Sequence, residues 1–372
     1  MKSIYLKKSK DKNIRMGHPW IFSGAIQQIP GQLEPGELCR IFAHEGNPLG
    51  IGYYHPVSSI AVRMLCLGTN DSFTETDIHD RIKKALDQRK PWLNTDTNAC
   101  RLINSEGDFL PGLVVDRYSE GLCIQITTAG MNRFRESILS SLNSILSPEF
   151  IYEKSDSELM SRENLPFKKG ILSGLLPVPL IIKENGLRFM VDLEEGQKSG
   201  FFLDQKWNRS LVREYARDRK VCDCFCYTGG FSVYALAGKA RNVHLVDSSK
   251  KALHHAMKNM ELNGHTGSGI HYEEQDVFQY LREATPCPYD LIILDPPKFA
   301  KKAADKDKAA RGYKDINLLA MKKIQPGGVL FTFSCSQAVD TTLFRQILYS
   351  AAAESNRQVQ VLHVLSQPPD HP

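Results

Sequence analysis

From about residue 190 the chain alternates short apolar runs with amphipathic stretches, and this alternation limits its fold more than any other feature. Strands are expected at Lys220–Phe225, Val243–Val246, Ile270–Glu274, Leu291–Leu294, Val329–Phe333 and Gln358–Leu365. Helices are expected at Phe231–Gly238, Lys250–Asn263, Leu318–Ile324 and Thr341–Glu354. Unbroken apolar runs suit strands buried on both faces. Parallel neighbours need helical crossovers, so the pattern predicts an α/β, doubly wound parallel sheet. Such sheets hold ligands outside the carboxyl ends of their strands.

Those ends carry acids. The first strand runs through Asp223 into Phe225–Cys226–Tyr227–Thr228–Gly229–Gly230. Glycines at a strand-to-helix turn admit a ligand close to the backbone. The Gly-x-Gly-x-x-Gly spacing and a P-loop lysine are both missing, so a pyrophosphate is not the natural ligand. Asp247 closes the second strand and suits ribose hydroxyls. Asp276 follows the third and suits an adenine amino group. Any one of these acids alone is more often a helix cap. Together they fit a cationic nucleoside, and S-adenosylmethionine (SAM), with its sulfonium and ammonium, is such a molecule.

The fourth strand stops at Leu294–Asp295–Pro296–Pro297–Lys298–Phe299. The prolines end ladder pairing and force a rigid, extended exit. A carboxylate, a flat apolar surface and an aromatic suit a planar base held by its edge and faces. The next strand ends in Phe333–Ser334–Cys335–Ser336, so Cys335 is expected beside Asp295. Carbon 5 of cytosine accepts a methyl only after a thiolate adds at carbon 6. Cys335 is therefore the candidate nucleophile, although a free cysteine is usually an inert core residue.

The formal net charge is +5, but it is concentrated. Met1–Trp20 holds six Lys/Arg against one Asp, and Lys298–Lys314 holds seven against two. Two basic patches suggest a polyanion, most simply RNA, with Lys298, Arg311 and neighbouring residues along its backbone. Nine cysteines at irregular spacing point to reduced thiols in the cytoplasm, and no Cys/His pattern suggests a metal. No apolar run approaches a membrane span, and the lysine-rich start is not a secretory signal.

Residues 1–72 read as a small β-barrel, with runs at Cys39–Ala43, Leu49–Tyr54 and Ile60–Leu67 broken by turn signals. His18–Pro19–Trp20–Ile21–Phe22 puts aromatics beside the first basic patch, an RNA-binding composition, but Trp20 and Phe22 are expected to fill the barrel. Residues 73–189 read as an α+β domain with helices at about 74–90 and 132–146. Thr74 and Asp77 have capping-box spacing, and Ile78, Ile82, Ala85 and Leu86 form a stripe. Residues 190–372 hold the parallel sheet.

These pieces resemble the ribosomal RNA large subunit methyltransferase I family of SAM-dependent (cytosine-C5)-methyltransferases. The likeness runs through His18–Pro19–Trp20–Ile21–Phe22–Ser23–Gly24, Gly107–Asp108–Phe109–Leu110–Pro111–Gly112–Leu113 and Lys198–Ser199–Gly200–Phe201–Phe202–Leu203–Asp204–Gln205. It continues in Cys226–Phe231, Asp295–Phe299, Arg311–Gly312–Tyr313–Lys314–Asp315–Ile316–Asn317 and Ser334–Cys335–Ser336. The resemblance implies a PUA barrel, a central α+β domain and a Rossmann-like class I methyltransferase domain. It implies Cys335 as nucleophile with Asp295 at the base, and a segment from Asp204 to Arg209, including Gln205, closing over SAM. It places Pro296, Pro297, Lys298, Phe299, Arg311 and Tyr313 with the RNA, and suggests a homodimer. At Ser173–Gly174–Leu175–Leu176 the family usually has an acid where Leu175 stands. The resemblance also implies an antiparallel strand beyond Pro372, without which its neighbours are expected to be unpaired and the sheet less stable. Methylation of a guanine or adenine nitrogen, and a non-catalytic RNA-binding assembly factor, are the alternatives.

Overall fold

The computed structural model describes residues 1–197, 199–284, 288–300, 305–336 and 338–372. Lys198 and residues 301–304 of the second basic run lie outside the described residues. The chain forms two compact units. One holds Met1–Gly186, Val191–Asp204 and Pro368–Pro372; the other holds Leu187–Met190 and Gln205–Gln367.

The first unit contains a six-stranded sheet in the order Trp20–Phe22, Ile60–Leu67, Pro48–Tyr54, Leu38–Phe42, Lys2–Leu6 and Ile26–Gln28. Its inward residues Ile4, Leu6, Ile21, Cys39, Ile41 and Val62 form one cluster. Trp20 and Phe22 do not fill this core, contrary to expectation. Side chains alternate along a strand, and buried Ile21 takes the inward position. Phe22 is therefore 51% exposed.

A five-stranded sheet follows, in the order Lys169–Gly174, Phe150–Lys154, Gly121–Ile126, Leu113–Tyr118 and Ala99–Asn104. Helix Glu75–Arg89 packs on it through the expected stripe, with Ile78, Ile82, Ala85 and Leu86 all buried. Its start carries the capping box: the Thr74 N–H donates to Asp77 Oδ2 at 2.7 Å. The expected second helix is two, Ala129–Arg133 and Arg135–Leu146, broken at Phe134. One hydrophobic cluster joins Ile51, Tyr53 and Leu65 of the first sheet to Ile78, Ile82 and Leu113. Gly130 allows part of that contact, since a Cβ there would lie 2.1 Å from the Tyr53 ring.

The second unit is built on a parallel sheet ordered Ile270–Glu274, Asn242–Asp247, Lys220–Cys224, Tyr289–Leu294 and Ile324–Thr332. The order reverses direction between Lys220–Cys224 and Tyr289–Leu294, the switch point at which open sheets bind ligands. The helix expected at Leu318–Ile324 begins much earlier, at Lys306, and ends at Lys323. Its first turns are masked in sequence by charges, yet Ala309, Tyr313, Ile316 and Ala320 supply a continuous buried stripe. The expected strand Gln358–Leu365 does not form, although the segment is apolar. A strand needs a ladder partner, and none of the described strands pairs with it. Val359, Val361, Leu362 and Val364 are exposed.

Candidate active site

Asp223 lies within the first parallel strand, one residue before its end. Its carboxylate is buried: Oδ2 accepts the Ser232 hydroxyl at 2.6 Å, while Oδ1 has no hydrogen-bond partner among the described residues. Burial pushes its pKa up to about 7; the Ser232 hydrogen bond opposes the shift and the nearby Asp295 carboxylate adds to it.

The following turn is held open by three left-handed residues, Phe225 (φ +60°), Tyr227 (+48°) and Gly229 (+74°). The Tyr227 N–H donates to Asp247 Oδ2 at 2.9 Å, and Asp247 Oδ1 accepts the Ser249 N–H at 2.8 Å. Thr228 is buried, and its carbonyl accepts from Asn259 Nδ2 at 2.9 Å. Helix Gly230–Ala237 starts immediately after, so the N–H groups of its first turn face the same end of the sheet. Asp276 caps helix Val277–Glu283, with Oδ1 accepting the Gln279 N–H at 2.9 Å. That is the commonplace use of such an acid.

Asp295 follows Leu294 and is half-buried. Its Oδ2 accepts from Gln205 Nε2 at 3.2 Å, and Gln205 Oε1 in turn accepts from Asn208 Nδ2 at 2.6 Å. Arg209, on the same helix Lys206–Tyr215, is buried against Gly230, where a Cβ would come 3.3 Å from the arginine Cδ. Ser232 and Asn208 are site residues that sequence reasoning missed. Each is a polar side chain one or two helical turns from a flagged residue, and no stronger signal marks them.

Parallel pairing of Leu294 with Thr332 brings the last two strand ends together. The Phe333 N–H donates to the Leu294 carbonyl at 2.9 Å. Beyond it, the exposed Cys335 thiol donates to the Pro296 carbonyl at 3.5 Å. Cys335 therefore stands beside Asp295–Pro296, as the strand order predicts. Its turn is braced from below: Ser336 Oγ lies 3.0 Å from the Tyr313 hydroxyl and accepts the Ala300 N–H at 3.4 Å.

Tyr313 does not reach the surface. It was expected to touch RNA, but it is fully buried, with its apolar ring in the core and its hydroxyl on Ser336. Phe299 is half-buried, its ring centroid 4.7 Å from that of Tyr313 and 6.0 Å from that of Phe278. Pro296 is buried, while Pro297, Lys298 and Arg311 are exposed. Cys222, Cys224 and Cys226 are buried free thiols. Among the described residues no group of His, Cys, Asp or Glu is arranged to hold a metal ion, and no helix is long and apolar enough to cross a membrane.

A model of the S-adenosylmethionine-dependent methyltransferases matches residues 171–372, and a PUA-like domain matches residues 4–67. The ribosomal RNA large subunit methyltransferase I of Pseudoalteromonas atlantica is 39% identical over 99% of this chain and 94% of its own length. That of Aeromonas salmonicida is 40% identical with the same coverage. The chain belongs to the ribosomal RNA large subunit methyltransferase I family. Solved structures share the fold. A Streptococcus mutans protein described as a SAM-dependent methyltransferase has a TM-score of 0.84 and 21% identity, covering 100% of this chain and 95% of that one. SMU.776, crystallised with S-adenosylhomocysteine, has a TM-score of 0.87 at the same identity and coverage. As in the family at large, SAM is the cofactor. The residues present fit it: a buried carboxylate oxygen at Asp223, without a partner among the described residues, suits a ligand ammonium.

Proposed function

We propose that this chain methylates carbon 5 of a cytosine in large-subunit ribosomal RNA, with Cys335 as the nucleophile. The observation that carries the reading is the Cys335 thiol 3.5 Å from the Pro296 carbonyl, on the turn next to Asp295. The names of the curated relatives support the RNA, and the cytoplasm is the corresponding location.

In this reading Asp223 holds the cofactor ammonium and Asp247 the ribose. Gln205, Arg209, Phe225, Tyr227, Thr228, Gly229 and Asp276 complete the cofactor site. The cofactor supplies an electrophilic methyl group. Asp295, held by Gln205, accepts from the amino edge of the cytosine and orients it over Pro296–Pro297. Phe299 supports that surface through its packing, and Lys298 and Arg311 contact the RNA backbone. The Cys335 thiolate adds to carbon 6, which makes carbon 5 nucleophilic. After methyl transfer, loss of the carbon 5 proton re-forms the 5,6 double bond and expels the thiolate. A duplex hides the base, so the cytosine is presented unpaired or flipped out.

The test is to incubate the protein with SAM and large-subunit RNA and map the methylated atom. A 5-methylcytosine is expected, with Cys335→Ala reducing its formation by at least about 10³-fold, the scale of losing a catalytic nucleophile. Methyl on a guanine or adenine nitrogen, or full activity in C335A, would overturn the reading.

A further inference from the structure

The turn at Gly107–Leu113 takes no part in the chemistry proposed above, yet it is built more firmly than a connecting loop requires. Asp108 is buried in a two-bond pair with Arg89, Oδ1 to Nη1 and Oδ2 to Nη2, both 2.7 Å. Asp108 Oδ2 also accepts the Asn104 N–H at 2.6 Å, and Ser105 Oγ accepts the Gly112 N–H at 2.7 Å. Leu110, two residues after Asp108, is fully buried. Between these anchors stands Phe109, in the left-handed region (φ +60°, ψ 25°) and 66% exposed. The Arg81 guanidinium fixes its carbonyl at 2.6 Å. Glycine or asparagine would occupy this position with less strain. A bulky ring held there, and held out in water, is costly on both counts, and such outliers gather at functional positions.

The same turn reaches the aromatic cluster of the first strand sheet. Trp20 Nε1 donates to Glu106 Oε1 at 2.9 Å. Around Trp20 stand His18 and Phe22, with ring centroids at 5.7 and 6.5 Å. Phe22 points outward because Ile21 takes the inward place. Exposed lysines of the first basic run lie close by: the His18 backbone N–H donates to the Asn13 carbonyl of the short helix Lys12–Arg15, which follows exposed Lys7, Lys8 and Lys10, while Arg63, the ladder partner of Trp20, is paired with Glu163 at 2.7 Å. Rigid rings among cations match an unpaired nucleobase on a phosphate backbone, because every base offers a flat face and the backbone is anionic. An apolar protein partner would have no use for the positive surround.

We infer that Phe109, with the Trp20–Phe22 cluster, is a stacking surface for unpaired bases of the RNA substrate, in the compact unit that does not carry the catalytic cysteine. The inference rests on the RNA reading above. A preformed surface of this kind adds affinity without ordering cost.

The test is Phe109→Gly in the full chain, with binding measured to transcribed large-subunit RNA, to a fully paired duplex and to SAM. Glycine removes the ring and suits the left-handed backbone, so the melting temperature should hold or rise. RNA affinity should fall about tenfold, the order of one lost stacked base, while SAM affinity is unchanged. Phe22→Ser should lower RNA affinity in the same direction. Phe109→Trp should bind as the wild type, and this variant decides the matter if the glycine variant proves less stable. Unchanged RNA binding in F109G, or a loss confined to assembled ribosomal subunits, would overturn the inference and leave the enzymatic reading standing. If the wild-type protein binds the duplex and the large-subunit RNA equally weakly, the RNA reading falls first and this inference falls with it.

Discussion

Asp108 in the first compact unit and Asp223 in the second are both buried carboxylates, and they are treated in opposite ways. Asp108 meets Arg89 in a two-bond pair and also accepts a backbone N–H. Asp223 has a serine hydroxyl on one oxygen and nothing on the other among the described residues. Burial raises its pKa to about 7, with Asp295 adding to the shift. A saturated buried acid is scaffold: its partners are all inside the protein. An unsaturated one is tolerated where a ligand completes it. The two sites therefore separate stability from binding, and each can be broken alone.

The largest expected effect is on the scaffold side. Asp108→Ala strands a buried guanidinium and should cost about 3–5 kcal/mol in denaturant unfolding of the first unit. SAM affinity should not change. The paired replacement of Arg89 and Asp108 by Met and Leu should recover most of the loss, since the penalty comes from the unpaired charge. A single-site loss below 1 kcal/mol would mean that the pair is not an anchor.

Asp223→Asn should act the other way. Losing the charged partner of a ligand ammonium should weaken SAM binding about 10–100-fold, the scale of a charge-assisted hydrogen bond. Calorimetric titration measures it. Stability should not fall. The native pKa of Asp223 is raised above the ordinary 3.8, so its protonated form is favoured by folding. That contribution is present at low pH and is lost as pH rises through about 7. The asparagine variant should thus gain on the wild type in melting temperature as pH rises from about 4 to about 7, and keep that gain above it.

The same titration sharpens the comparison further. Below about pH 7 the Asp223 proton must leave before the ammonium is held, so wild-type SAM affinity should fall about tenfold per pH unit. In D223N the profile should be flat over that range. Parallel profiles would assign the pH dependence elsewhere. Smaller still is Gln205→Ala, which frees Asp295 from its 3.2 Å contact. A loss of about five- to tenfold in kcat/KM is expected, one neutral-to-charged hydrogen bond's worth of positioning.

The second unit was more legible in sequence than the first. Acids near the ends of apolar runs marked Asp223, Asp247 and Asp295, and strand order alone placed Cys335 next to Asp295. What escaped depended on partners that a linear pattern does not display. Gln358–Leu365 has the composition of a strand but no pairing neighbour among the described strands. Tyr313 sits in a basic run and reads as an RNA contact, yet its helix turns it into the core. Trp20 and Phe22 read as core because they are large, whereas the two-residue period of the strand gives the inside to Ile21. The unpaired oxygen of Asp223 was invisible as well: sequence shows an acid, and only packing shows which of its lone pairs is empty.

Covalent trapping tests the proposed chemistry most directly. RNA carrying 5-fluorocytosine lacks the proton that must leave carbon 5, so thiolate addition and methyl transfer should stall with RNA attached to protein. Intact-mass measurement after incubation with SAM should show one RNA adduct, mapped by digestion to Cys335 and absent in C335A. Complete methyl transfer elsewhere on that RNA without any adduct, or an adduct that persists in C335A, would contradict the assignment.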